Sequence, residues 1–201
     1  MPKASGSAWT PRRAALVALA ALAVTPAARG GSERGLGRAM ARARRAGVTR
    51  RPALELGLML RLYAGFPAAI EFLRVAAGTW PARTVRRPPA SYDAWRAWQR
   101  RGERLCRRVY GPDYARLRAF MQGLDPDLDH WMILEGYGKT LAAAGLGAIE
   151  RELVTVAALT ALGWTRQASA HALGARRVGA PATHVARATR AGERCRRART
   201  R

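Results

Sequence analysis

Glu152 and His171 are the two residues of this chain whose types best suit moving a proton. A histidine changes charge near neutral pH, and a carboxylate enclosed by apolar groups is pushed toward the same range, so the two types together suit general acid–base work. They lie in a stretch that is matched elsewhere in the chain by one that lacks them. Leu16-Val17-Ala18-Leu19-Ala20-Ala21-Leu22 reappears as Leu153-Val154-Thr155-Val156-Ala157-Ala158-Leu159, with five of seven positions identical. Ala43-Arg44-Arg45-Ala46-Gly47 reappears, in the same order and at nearly the same separation, as Ala175-Arg176-Arg177-Val178-Gly179. The pattern predicts a duplicated helical hairpin. Ala15 and Ala39 stand in the first copy where Glu152 and His171 stand in the second, so the first copy cannot perform the same chemistry.

An antiparallel hairpin turning near Trp164 sets Glu152 opposite about position 176, five residues from His171. At the helical rise that is ~7 Å along the axis, a gap to be closed by a bridging water, by substrate or by strongly crossed helices. The competing roles are structural: a half-buried His171 bonded to a backbone carbonyl, and Glu152 as a carboxylate stabilised near a helix N-terminus. A second group, Trp131, Glu135 and Tyr137 with His130, shares one predicted helix. His130 and Tyr137 are seven residues apart and so fall on one face, and Trp131, Tyr137 and His171 could line a pocket. The alternative makes Trp131 and Tyr137 core aromatics and His130 a surface residue. Cys106, beside Arg104, Arg107 and Arg108, has a setting that lowers a thiol pKa. Neither it nor Cys195 belongs to a Cys-x-x-Cys pair, and no metal-ligand spacing is present. His184 follows Pro181 at a helix start with no partner legible.

The elements that must position these residues are helices. The chain has 201 residues, 49% of them hydrophobic, is rich in Ala and Leu, and shows no alternating β pattern of useful length, which predicts an all-α fold of two hairpin repeats, the first degenerate. Residues 1–10 read as disordered. Residues 11–77 read as the first repeat, with a helix over Ala14–Val24, a second over Arg34–Arg45 stopped by Gly47, and a third, capped by Thr49, broken or kinked at Tyr63-Ala64-Gly65-Phe66-Pro67. Residues 78–90, rich in proline and arginine, read as a linker, 91–190 as the second domain, and 191–201 as a frayed basic tail. Ser91 and Asp125 are the expected caps of the helices that follow them. The net charge of +23 is carried almost wholly by dispersed arginines, which implies solvated faces and incidental attraction to polyanions rather than specific nucleic-acid recognition. The apolar run Ala14–Val24 followed by Ala27-Ala28 resembles a secretory signal, but its match in mid-chain favours a structural helix, a cytoplasmic protein and no membrane role.

Asp127–Gly179 resembles the carboxymuconolactone decarboxylase and alkyl hydroperoxidase D group. The features are Trp131, Glu135-Gly136-Tyr137-Gly138, Gly145-Leu146, Arg151-Glu152-Leu153-Val154-Thr155-Val156-Ala157-Ala158-Leu159, His171 and Gly179. Gly47–Ala76 is similar to the closing part of that group, including Tyr63-Ala64-Gly65-Phe66-Pro67. The resemblance implies a small all-α protein, assembling as a homo-oligomer, with one of two activities. The first is decarboxylation of a lactone ring acid without metal or organic cofactor; the second is peroxide reduction by a cysteine pair with a Glu and a His as proton relay. The relay positions match Glu152 and His171, whereas the cysteine positions are Trp164 and Gln167, so the dithiol is missing. The resemblance thus implies a cofactor-independent acid–base enzyme on a small, anionic carboxylate or lactone, with Glu152 and His171 catalytic and Trp131, Glu135 and Tyr137 at the substrate. The alternatives are an antioxidant using a lone cysteine and a non-catalytic helical scaffold. Because the second copy has no Leu-rich third helix, Leu56, Met59, Tyr63, Phe66 and Ile70 are expected to cover the Ala148–Val178 hairpin, from the same chain or a neighbouring subunit.

Overall fold

Thr10 starts the first helix by accepting a hydrogen bond from the Arg13 amide at 3.1 Å, and Pro11, with no amide proton to satisfy, occupies its first turn. This is a computed structural model, which describes residues 8–25, 33–81 and 90–199. Among them every regular element is helical, so the fold is all-α. Three helices precede residue 82: α1 (Pro11–Ala23), α2 (Glu33–Arg45) and α3 (Arg50–Thr79). Three follow residue 144: α7 (Ala148–Leu162), α8 (Thr165–Arg177) and α9 (Ala182–Arg199). Between them come α4 (Tyr92–Tyr110), α5 (Tyr114–Leu124) and α6 (Pro126–Trp131), which runs into a π-helix over Met132–Leu141.

Contacts divide the chain into two compact units, Met1–Ala82 with Gly145–Arg201, and Arg83–Ala144. The segment expected as one domain over 91–190 therefore contributes to both.

In the first unit the two matching segments are the core. Leu16, Val17, Leu19, Ala20 and Ala21 of α1 and Leu153, Val154, Val156, Ala157 and Ala158 of α7 are buried, and α1 packs on α7. Small residues at these positions let the backbones approach, and each buried Leu or Val contributes about 1.5–3 kcal/mol. The second helices end alike. Gly47 (φ 88°) and Gly179 (φ 102°) take the left-handed turn, and the amides that follow reach back, Val48 to Ala43 O at 3.0 Å and Ala180 to Ala175 O at 2.8 Å. A third helix then starts at the same offset in each case, α3 at Arg50 and α9 at Ala182.

Several expectations change here. Residues 191–199, expected as a frayed tail, are the second half of the third helix α9, held by buried Ala188, Ala191 and Gly192; a Cβ on Gly192 would meet Ala157 O at 2.6 Å, so α9 lies directly against α7. It is α9 that covers the α7–α8 hairpin most extensively. Leu56 and Met59 are buried and Tyr63 bonds Thr155 as expected, but Phe66 and Ile70 are exposed, because the chain turns at Gly65 (φ 79°) and Pro67 before they are reached. Of the residues expected to be disordered, 1–7 lie outside the described part, whereas Trp9 packs edge-on against His184 and Thr10 caps α1. The linker begins later than expected: α3 runs to Thr79, and the indole of buried Trp80 donates to Val48 O at 3.0 Å. Residues 82–89 of that linker, and Ala27-Ala28 after α1, lie outside the described part. Thr49 precedes α3 but caps it with no side-chain bond. Among the described residues α3 alone meets the length and hydropathy of a membrane-crossing helix.

In the second unit Ser91 and Asp125 cap as expected, Ser91 accepting from Ala94 N at 3.2 Å and Asp125 from Asp127 N and Leu128 N at 2.8 and 3.0 Å. Helix α4 packs on the π-helix through paired glycines. A Cβ on Gly138 would sit 2.1 Å from Trp98 O, and one on Gly102 would sit 2.3 Å from Ile133 O.

Candidate functional site

Gly147 precedes α7 and the Glu150 carboxylate reaches back to its amide at 3.4 Å, so α7 starts with Glu152 inside its second turn. Gly163 (φ 85°) ends α7, and α8 returns carrying His171. The Glu152 side chain is 4% exposed and that of His171 12%, and His171 Nδ1 lies 2.9 Å from Glu152 Oε2. The pair is therefore in direct contact, with no bridge. The expected ~7 Å stagger came from counting residues along aligned helix axes, and the two side chains nonetheless meet at 2.9 Å. No hydrogen bond is made by His171 Nε2 among the described residues.

Four side chains anchor α7 on either side of Glu152. Arg151, 3% exposed, donates from Nη2 to Glu55 Oε2 at 3.0 Å and to Leu146 O at 3.0 Å. Glu55 in turn accepts from the Gly145 and Leu146 amides at 2.7 and 3.1 Å, which ties α3 to the turn before α7. A buried ion pair satisfied on all sides holds its elements in one register, although removing either partner would leave an uncompensated charge. One turn along α7, the Thr155 hydroxyl donates to Arg151 O at 2.9 Å, which leaves Tyr63 to donate to Thr155 Oγ1 at 2.7 Å. Tyr63 was expected on this hairpin, whereas Glu55 and Arg151 were not singled out as a pair. The available signal was Glu55 itself, a lone carboxylate between Leu54 and Leu56 on an apolar helix.

Compared with protein-family models, curated proteins and solved structures, the chain finds no match.

The remaining expected site residues belong to the second unit. Trp131 is exposed at the end of α6, and Glu135 pairs with Lys139 at 3.2 Å. Tyr137 is buried edge-on against Tyr110, at 6.3 Å between ring centroids. The shared face expected of His130 and Tyr137 presumed an α-helix; the π-helix from Met132 has a different period, and His130 packs on Trp95 instead. His184 does have partners: it is buried, with its ring beside Trp9 and its Nδ1 3.4 Å from Arg13 Nη1. Burial, then the nearby Arg13 and Arg187 charges, pushes its pKa below the usual histidine range.

The cysteine sites are unlike a reactive thiolate. Cys106 is wholly buried, and burial pushes the Cys195 thiol up. Among the described residues no group of three His, Cys, Asp or Glu is placed to hold a metal ion. A groove of about 560 Å³ between α8 and α9 is lined by Ala172, Leu173, Val185, Arg176 and Arg190 among others; neither His171 nor Glu152 is in its lining.

Proposed function

We propose that the chain is a cofactor-independent acid–base enzyme of the carboxymuconolactone decarboxylase type, acting on a small carboxylate or lactone. The observation that carries the reading is the Glu152–His171 contact, with a carboxylate on one imidazole nitrogen and no partner among the described residues on the other. A carboxylate can only accept, so Glu152 selects the tautomer with the proton on Nδ1 and leaves a lone pair at Nε2. Nε2 then takes a proton from substrate as general base and returns it as general acid, while Glu152 stabilises the imidazolium formed between the two steps. The same carboxylate locks the ring, so orientation is set before substrate arrives. Tyr63, Thr155, Glu55 and Arg151 act as positioning residues, since they hold α7. Arg190 and Arg176 beside the α8–α9 groove supply charge complementary to a carboxylate.

The test is turnover of a panel of small lactones and 2- to 6-carbon carboxylic acids, followed by proton uptake and carbon dioxide release. His171→Gln should lower turnover at least ~100-fold with the unfolding midpoint preserved. Equal turnover by wild type and His171→Gln would remove His171 from the mechanism.

A further inference from the structure

Helix α2 carries Arg34, Arg38, Arg42 and Arg45, all exposed, at steps of four, four and three residues. Those steps return to one helix face, opposite buried Met40 and Ala43, and make a row about 16 Å long. None of the four has a hydrogen bond or ion pair with the described residues. The carboxylate on α2, Glu33, does not neutralise the row, because both terminal nitrogens of Arg74 hold it at 3.0 Å and keep its carboxyl below the usual range. Like charges one turn apart destabilise a helix by a few tenths of a kcal/mol per pair, and a polyanion laid along the row would relieve that.

We infer that this face of α2 is an interface for the phosphate backbone of a nucleic-acid duplex. Phosphates follow one another every ~3.4 Å of axis on each strand, so the row spans about five of them, and a guanidinium fork matches a phosphate's oxygens. The residues between the arginines are Gly, Leu, Ala, Met and Arg, with no Asn, Gln or acidic side chain to read a base edge, so recognition is independent of sequence. A bilayer fits less well. An interfacial helix inserts its apolar face, whereas the apolar residues Met40 and Ala43 are already buried in a helix that packs on α1 and α3. On α9, by contrast, Arg197 is paired with Glu193 and Arg187 lies over the Trp9 ring.

The experiment is fluorescence anisotropy of the full chain with a labelled 20-base-pair DNA duplex of arbitrary sequence, between 50 and 200 mM KCl. Each backbone contact contributes about 0.9 to the slope of log affinity against log salt. Substituting Arg34, Arg38, Arg42 and Arg45 by Gln should therefore lower the slope by about 3.6, with at least ~100-fold weaker binding at 50 mM. Substituting Arg190, Arg194, Arg196 and Arg197 by Gln removes the same net charge and should change the slope by less than ~1. Should the first variant fail to fold, the Arg38→Gln, Arg42→Gln pair carries the same test at a slope change of about 1.8. Three results overturn the inference: no binding by wild type at 50 mM, equal losses in the α2 and α9 variants, or α2 substitutions that abolish binding to phosphatidylserine vesicles but leave duplex binding intact.

Discussion

Asp129 shows how far a single side chain can be reasoned about. It is 2% exposed, it accepts from Arg118 Nη2 at 2.7 Å and from Gln122 Nε2 at 3.1 Å, and the Arg118 bond holds its carboxyl below the usual range against the opposing effect of burial. A carboxyl whose folded pKa is depressed stabilises the fold above its unfolded pKa, near 3.9, and loses that contribution as pH falls through the folded value. Asp129→Asn should therefore cost about 2 kcal/mol at neutral pH, with the gap from wild type constant down to about pH 5 and shrinking below it. Urea unfolding at a series of pH values measures the gap, and a gap that grows toward acid would refute this account of Asp129. Nothing in the sequence singles out Asp129, because its partners are 7 and 11 residues away on another helix. Glu152 and His171 were legible for a different reason: they stand where the matching copy has Ala15 and Ala39, and at the relay positions of the resemblance.

At the scale of elements, what repeats or punctuates was legible and what depends on backbone approach was not. The helices around Leu16 and Leu153, the turns at Gly47, Gly163 and Gly179, the caps Ser91 and Asp125 and the kink at Gly65 all follow from local rules. The start of helix α9 after Pro181 was legible, but its continuation past residue 190 was not, because its polar composition hides the short apolar face of His184, Ala188, Ala191 and Cys195. The π-helix escaped because no single-residue preference marks it; Gly136 and Gly138 remain the visible trace. Gly138→Ala puts a methyl 2.1 Å from Trp98 O, where relief requires α4 to move as a body. We expect a loss of about 3 kcal/mol or more, at the upper end of overpacking effects, read as a lower urea midpoint. Retention of the wild-type midpoint would mean that the helix pair is not packed through this glycine.

For the molecule as a whole, the first repeat was expected to pack on the Ala148–Val178 hairpin, and residues up to 82 do share one core with those from 145 onward, but chiefly through α1 against α7 rather than through α3. Linear reading favours neighbours in sequence, and the pairing of α1 with α7 is a contact between segments that resemble each other, which composition cannot signal. That shared core also places Glu152 on its most buried helix and His171 on the helix that returns from it, so the dyad is a product of the whole unit. The most direct measurement is therefore made on the intact chain: nitrogen-15 NMR of the imidazole rings of His130, His171 and His184 at alkaline pH, in wild type and Glu152→Met, which has no acceptor oxygen. The account predicts His171 with its proton on Nδ1 and an unprotonated Nε2 in wild type, and a loss of that preference in Glu152→Met. A wild-type His171 with its proton on Nε2, or one indifferent to Glu152→Met, would contradict it.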